Sequence, residues 1–191
     1  MNLGWSGFHR YDEAERRKWQ NPGAIFREIE LKPGQTLVDL GCGDGFFAIP
    51  AARVVGNSGK VYGLDVDPEA IKRLEEKAEK EGLDNLALVT GKVEELILCE
   101  GCADFVFFGN VLHDFDDPSK VLKNARMTLK ATGCLVDVDW KKEPMTFGPP
   151  VTIRFSEHKA ISLVRKAGFK LYAIKKSGAY HYMITACPSD G

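Results

Sequence analysis

The sequence predicts one α/β domain with a mostly parallel sheet covered by helices on both faces. Three observations carry this reading. From Thr36 onward, short apolar strand patterns alternate with helical ones. Phe105–Gly109 (FVFFG) is apolar throughout, as a strand covered on both sides should be. The last two strand patterns are joined by a short link containing Gly178. Such a link permits a hairpin but not a parallel crossover, so one strand runs antiparallel.

The elements follow in order. Asp12 to Gln20 is charged and helix-prone, and Pro22 opens a second short helix through Ile25, Phe26 and Ile29. Lys32-Pro33-Gly34 reads as a turn. Thr36–Leu40 is the first strand, followed by glycines and a helix from about Phe46 to Val55. Lys60–Asp65 is the second strand. Pro68 opens a helix that ends near Gly82, the usual placement of proline and glycine at helix ends. Leu86–Thr90 and Phe105–Gly109 are the third and fourth strands. Pro118–Lys130 is a helix and Cys134–Trp140 the fifth strand. Ser156 caps a helix ending near Gly168, and two strands follow around Phe169–Lys175 and His181–Ala186.

With 191 residues and 44% hydrophobic content, the chain suits a single domain over 1–191 with a substantial core. A formal net charge of −1 lacks the basic excess of a dedicated nucleic-acid binder. No apolar run approaches the roughly 20 residues of a membrane span. The polar N-terminal stretch carries no signal-peptide core, so a cytoplasmic protein is expected. Five cysteines, an odd number, do not form a secreted disulfide framework; reduced, mostly buried thiols are the expectation. Cys99-x-x-Cys102 has no second C-x-x-C to complete a zinc site, so no metal is expected.

The central motif is Val38-Asp39-Leu40-Gly41-Cys42-Gly43-Asp44-Gly45, between a strand and a helix. Glycines there let the backbone turn sharply and let a ligand approach the main chain. Asp65 ends the second strand about twenty residues past the loop, where a carboxylate can accept from a ribose diol. Asp39 precedes the loop, where an acid suits a ligand bearing positive charge. Position 46 is Phe, whereas a dinucleotide fingerprint needs a small residue there to admit a pyrophosphate. That argues against a nicotinamide oxidoreductase.

VDLGCGDG, VYGLDVDPEAI and GNVLHDFDDP together make the sequence resemble the class I S-adenosylmethionine (SAM)-dependent methyltransferases. The resemblance is greatest to the small ubiquinone/menaquinone-biosynthesis-like and arsenite-methyltransferase-like branch, and it runs from about Gly34 to Ala186. It implies a Rossmann-like seven-stranded sheet of order 3-2-1-4-5-7-6 with strand 7 antiparallel. It implies SAM as cofactor, with Gly41, Cys42 and Gly43 along the methionine part, Asp65 on the ribose, Val66 flanking the adenine and Asn110 at the methionine end. Many relatives have Gly-Asp-Ala after the third strand. Here Gly91-Lys92-Val93 stands instead, and lysine cannot accept from the adenine amino group. Backbone groups, the Val93 amide or Glu94 are the substitutes.

His113-Asp114, after the fourth strand, is the best-placed catalytic pair. His113 either serves as a base touching the acceptor or packs the wall of the cofactor pocket, and Asp114 caps the following turn or helix. Asp137 and Asp139 share one face of the fifth strand, either binding substrate or partly exposed near the strand end. The position after the fourth strand lacks the Asn/Asp-Pro-Pro-Tyr of adenine and glutamine N-methyltransferases. The expected acceptor is a small molecule. The alternative is a non-catalytic SAM- or nucleotide-binding module working in a complex.

Residues 1–33 lack strand character yet carry Trp5, Phe8, Tyr11 and Trp19. They are expected to form a helical lid over the cofactor, with Tyr11 and Trp19 approaching it. The other reading is a helix pair packed on one side of the sheet.

Overall fold

Among residues 12–189, which the computed structural model describes, capping side chains start most of the helices. Asp12 accepts from the Ala14 and Glu15 amides and opens α1 (Glu13–Trp19). Asn21 accepts from Ala24 ahead of α2 (Pro22–Glu28). Asp67 caps α4 (Pro68–Lys80), Asp117 caps α5 (Pro118–Thr128) and Ser156 caps α6 (Glu157–Lys166). A proline opens three of these, where its missing N–H costs nothing. Asp114 does not cap α5; that role falls to Asp117, whose side chain accepts from the Lys120 amide.

The strands are β1 (Thr36–Leu40), β2 (Lys60–Asp65), β3 (Leu86–Thr90), β4 (Ala103–Gly109), β5 (Leu129–Trp140), β6 (Phe169–Ser177) and β7 (His181–Pro188). They form one sheet in the order β3-β2-β1-β4-β5-β7-β6, with β7 antiparallel to both neighbours. The order implied by the resemblance and the antiparallel hairpin read from the Gly178 link are both present.

Alternate residues of β4 enter opposite cores. Phe107 packs with Phe26, Phe47 and Leu37 beneath α2, α3 (Ala48–Val55) and α4. Val106 and Phe108 pack with Leu122 and Val164 beneath α5 and α6. Phe107 and Phe108 are wholly buried, each worth about 1.5–3 kcal/mol by transfer from water.

Three expectations need correction. α3 starts at Ala48, not Phe46, because Phe46 and Phe47 leave the turn to stack edge-on at 5.0 Å inside the core. β5 begins at Leu129, which pairs with Ala103 ahead of a register shift, so α5 ends two residues early. The cysteines are not mostly free thiols. Cys134 in β5 is disulfide-bonded to Cys187 in the adjacent β7, and Cys99 to Cys102. Cys42 alone is free, and it is buried. Strand pairing brings Cys134 and Cys187 together from 53 residues apart, which residue spacing alone does not reveal. Among the described residues no helix is long and apolar enough to cross a membrane.

The N-terminal segment has two parts. α2 contributes Ile25 and Phe26 to the core, whereas α1 buries none of its own residues. α1 lies instead against the carboxyl edge of the sheet, where Gln20 bonds to Asn110 just beyond β4.

Candidate active site

Strand order reverses between β1 and β4, so a crevice opens at their carboxyl ends. The loop after β1 enters it. The Gly41 and Cys42 amides donate to the Leu64 carbonyl, at 2.7 and 3.1 Å, which ties the loop to β2. Gly41 has φ +78°, and a Cβ there would stand 2.6 Å from Val111. Only glycine fits. Gly43 is different: a Cβ added there meets nothing within 4 Å. Its main chain borders open space, as a backbone that receives a ligand should. Lys77 of α4 pins the loop from outside, donating to the Asp44 carbonyl and carboxylate, each at 2.9 Å.

Two acids lie close to this loop. Asp65 accepts from the Gly43 amide (2.7 Å) through one oxygen and from the Asp67 amide (3.0 Å) through the other. Asp39, in β1, is almost wholly buried, and among the described residues neither carboxylate oxygen has a hydrogen-bond partner. Burial, reinforced by the nearby Asp65 charge and only partly offset by Arg16, pushes Asp39 up to about 8. A buried carboxylate without donors is costly, and a cationic ligand group would relieve it.

Asn110 closes the β4 side. It holds φ +64°, a conformation asparagine tolerates better than most residues, and its amide donates to the Val138 carbonyl (2.7 Å). Its side-chain amide pairs with that of Gln20, at 2.9 and 3.0 Å. Arg16, on the same helix as Gln20's neighbours, lays its guanidinium 3.8 Å from the Phe46 ring centroid.

The remaining predicted cofactor residues spread along the neighbouring loops. Val66 is 63% exposed beside Asp65. The Gly91 amide donates to the Asp65 carbonyl (2.9 Å), Lys92 is exposed and Val93 is buried. Asn124 of α5 donates to the Val93 and Glu94 carbonyls. Cys42 is buried in the core cluster, and its thiol also approaches the Gly43 carbonyl of the loop at 3.8 Å. Trp19 stacks on His181 (5.6 Å, 9°) and packs with Trp140 and Phe147, at the β5–β7 end of the edge rather than beside Asp65. Tyr11, like Trp5 and Phe8, lies outside the described residues.

His113 is enclosed, and its Nδ1 lies 2.8 Å from both oxygens of Asp139. A carboxylate only accepts, so in the neutral ring Nδ1 carries the hydrogen and Nε2 presents a lone pair. Among the described residues Nε2 has no hydrogen-bond partner, although Asp114 stands 3.4 Å away. Burial opposes protonation, but Asp139's charge and hydrogen bond outweigh it and hold His113 above its ordinary value. Asp137 and Asp139 are wholly buried, which corrects the reading of partial exposure near the strand end. Burial, reinforced by the charge of Asp139, raises Asp137 well above the usual carboxylate value.

Sequence reasoning missed Arg16, Gln20, His181 and Arg154. Arg16, Trp19 and Gln20 share one face of a helix by their i, i+3, i+4 spacing, a signal that was present. Arg154 gives none: it is buried and donates to the carbonyls of Lys141, Glu143, Phe147 and Pro149, gathering the loop after β5.

The fold and this crevice define a class: an open α/β sheet with a ligand site at its switch point. A family described as "Methyltransferase domain" matches residues 31–168, so the chain belongs to that family and to the class I SAM-dependent methyltransferase superfamily. A demethylmenaquinone methyltransferase from Geobacillus stearothermophilus is 31% identical over 131 residues, 69% of this chain and 55% of that one. A probable cobalt-precorrin-6B C(15)-methyltransferase (decarboxylating) from Saccharolobus solfataricus is 34% identical over 91 residues, 47% of this chain and 46% of that one. The chain thus spans about half the length of these curated relatives. A SAM-dependent methyltransferase structure from Aquifex aeolicus superposes with a TM-score of 0.85 at 29% identity, covering 93% of this chain and 98% of that one.

Proposed function

We propose that the chain transfers the methyl group of SAM to a small-molecule acceptor. The observation that carries this is the open space over the Gly43 backbone, held by Asp65, with the buried carboxyl of Asp39 in the strand just before the loop. These residues suit SAM: a carboxylate for the ribose diol, a second for an ammonium, and a bare main chain between them. When bound, SAM supplies an electrophilic methyl group attached to a sulfonium. The chain's own residues then align the acceptor and exclude water, with α1 and Trp19 covering the edge. The relatives' names point to small metabolites, a quinone precursor and a precorrin, and support an acceptor of that size.

In this reading His113 takes the acceptor's proton on Nε2, and Asp139 orients the ring and steadies its charged form. A second reading makes His113 a wall residue, favoured by the full enclosure of its side chain. His113→Ala separates them: loss of turnover with cofactor affinity retained marks a base, and equal loss of both marks a wall.

The proposal is tested by incubating the chain with methyl-labelled SAM and, separately, metabolite pools, RNA and protein lysate. Label should enter a low-molecular-mass product. Label in macromolecules alone overturns the acceptor class. SAM binding without transfer to any pool favours the non-catalytic module.

A further inference from the structure

A base enclosed by protein needs a way to release the proton it takes. The His113 side chain is fully enclosed, and Asp139, on its Nδ1 side, has a side chain only 1% exposed. Neither group meets water to any extent. Asp114 does, and it is left without the capping role that Asp117 fills. Its carboxylate lies on the other side of the ring, with Oδ1 3.4 Å from Nε2 and the side chain 33% exposed. The Asp114 amide donates to the Val111 carbonyl (2.9 Å), which fixes the turn that carries both residues. Asp114 therefore borders both Nε2 and water.

Resting on the reading of His113 as the base, we propose that Asp114 is the exit for its proton, so that Asp139, His113 and Asp114 form a relay from the acceptor to water. The acceptor's bond to hydrogen breaks as the proton passes to Nε2. The electron pair left on the acceptor forms the new bond to the methyl carbon while the carbon–sulfur bond of the sulfonium breaks. The imidazolium then gives the Nε2 proton to the Asp114 carboxylate, which passes it on to water. Asp139 keeps the Nδ1 hydrogen throughout and is not itself protonated.

The 3.4 Å separation suits a relay better than a fixed bond. In the neutral ring Nε2 presents a lone pair, and a carboxylate oxygen has no hydrogen to offer it. Nε2 is then open to the acceptor. Protonation turns Nε2 into a donor and adds charge attraction toward Asp114, which draws the pair together. Burial, opposed by the charge of His113 and aided by that of Asp139, raises Asp114 above the ordinary carboxylate value, which eases its gain of a proton. Burial lowers His113, Asp139 and Asp114 raise it, and Arg154, from the loop after β5, lowers it; the net direction is upward.

Ring 15N NMR on the full chain tests this without an acceptor. At one pH, low enough that His113 is charged in every protein compared, Asp114→Asn should slow exchange of the Nε2 proton with water about tenfold or more. Asp114→Glu should restore it. The Nδ1 proton, held by Asp139, should exchange alike in all three. Loosening of the turn would speed exchange at both nitrogens, so slowing at one alone separates a relay from a structural role. Thermal melts confirm folding, and Asp114→Ser serves if the asparagine variant does not fold. Equal Nε2 exchange in wild type and Asp114→Asn overturns the proposal, as does faster exchange at both nitrogens. Either result leaves the base reading standing, which His113→Ala decides separately.

Discussion

Gln20 and Asn110 stand 90 positions apart in the sequence and hold each other through a buried pair of side-chain amides. One belongs to the N-terminal helical segment and the other to the mouth of β4. The bond places α1 across the crevice without making it part of the core, because α1 buries none of its own residues. Removing residues 1–20 should therefore leave a folded domain with a cooperative melt, since Ile25 and Phe26 remain to cover their face of the sheet. Its affinity for S-adenosylhomocysteine should fall about tenfold or more, as the cover over the cofactor is lost. Calorimetry on the truncated chain checks this, and undiminished affinity would reduce α1 to packing.

Much of this was legible in the sequence, for physical reasons. The strand–glycine–helix pattern around Gly41 and Gly43 can arise only where backbone turns under close approach, so the loop was readable. Asp65 was readable because a strand end projects its side chain at a fixed place beside that loop. Pairings across the fold were not. Asp139 was recognised only as a strand face, because its partner His113 lies 26 positions earlier and meets it through the parallel pairing of β4 with β5. The disulfide between Cys134 and Cys187 escaped for the same reason: it depends on β5 and β7 being neighbours. The β5 start was misplaced because Leu129 and Lys130 carry a helical pattern that strand pairing overrides.

Asp39 sets a pH dependence. Its folded value of about 8 stands above the unfolded 3.8, so between these limits the folded chain binds the extra proton. Stability from this group is therefore lost, not gained, as pH rises through that window. A ligand ammonium selects the ionised form, so affinity should run the other way. S-adenosylhomocysteine should bind more tightly as pH rises from about 6.5 to about 8.5, by up to about tenfold per unit. Asp39→Asn should bind weakly with a flat profile. Calorimetry over that range checks both, and a flat wild-type profile would contradict the role given to Asp39.

His113 should titrate above the ordinary histidine value of 6.5. The sign follows from its partner: protonation is stabilising below that value and the benefit is lost as pH rises through the raised one. In Asp139→Asn only burial remains dominant, and the midpoint should drop below the ordinary value. Imidazole NMR on the two proteins measures this without any acceptor. An unchanged midpoint in the variant would separate His113 from Asp139 electrically.

The β5–β7 disulfide should add stability by shortening the unfolded chain's freedom over 53 residues. Cys134→Ser, made together with Cys187→Ser, should cost about 2–4 kcal/mol, read as a lower denaturant midpoint. Non-reducing peptide mapping should recover Cys134 joined to Cys187 and Cys99 joined to Cys102. Free thiols at all four positions would contradict the pairing.

The central claim is that the crevice between β1 and β4 receives SAM. Calorimetry of the full chain with S-adenosylhomocysteine and with NAD tests it most directly. S-adenosylhomocysteine should bind with one-to-one stoichiometry, NAD should not bind, and Asp65→Ala should weaken the first by about 1.5–3 kcal/mol, the range for a hydrogen bond to a charged group. Binding of NAD without S-adenosylhomocysteine, or full affinity in Asp65→Ala, would contradict it.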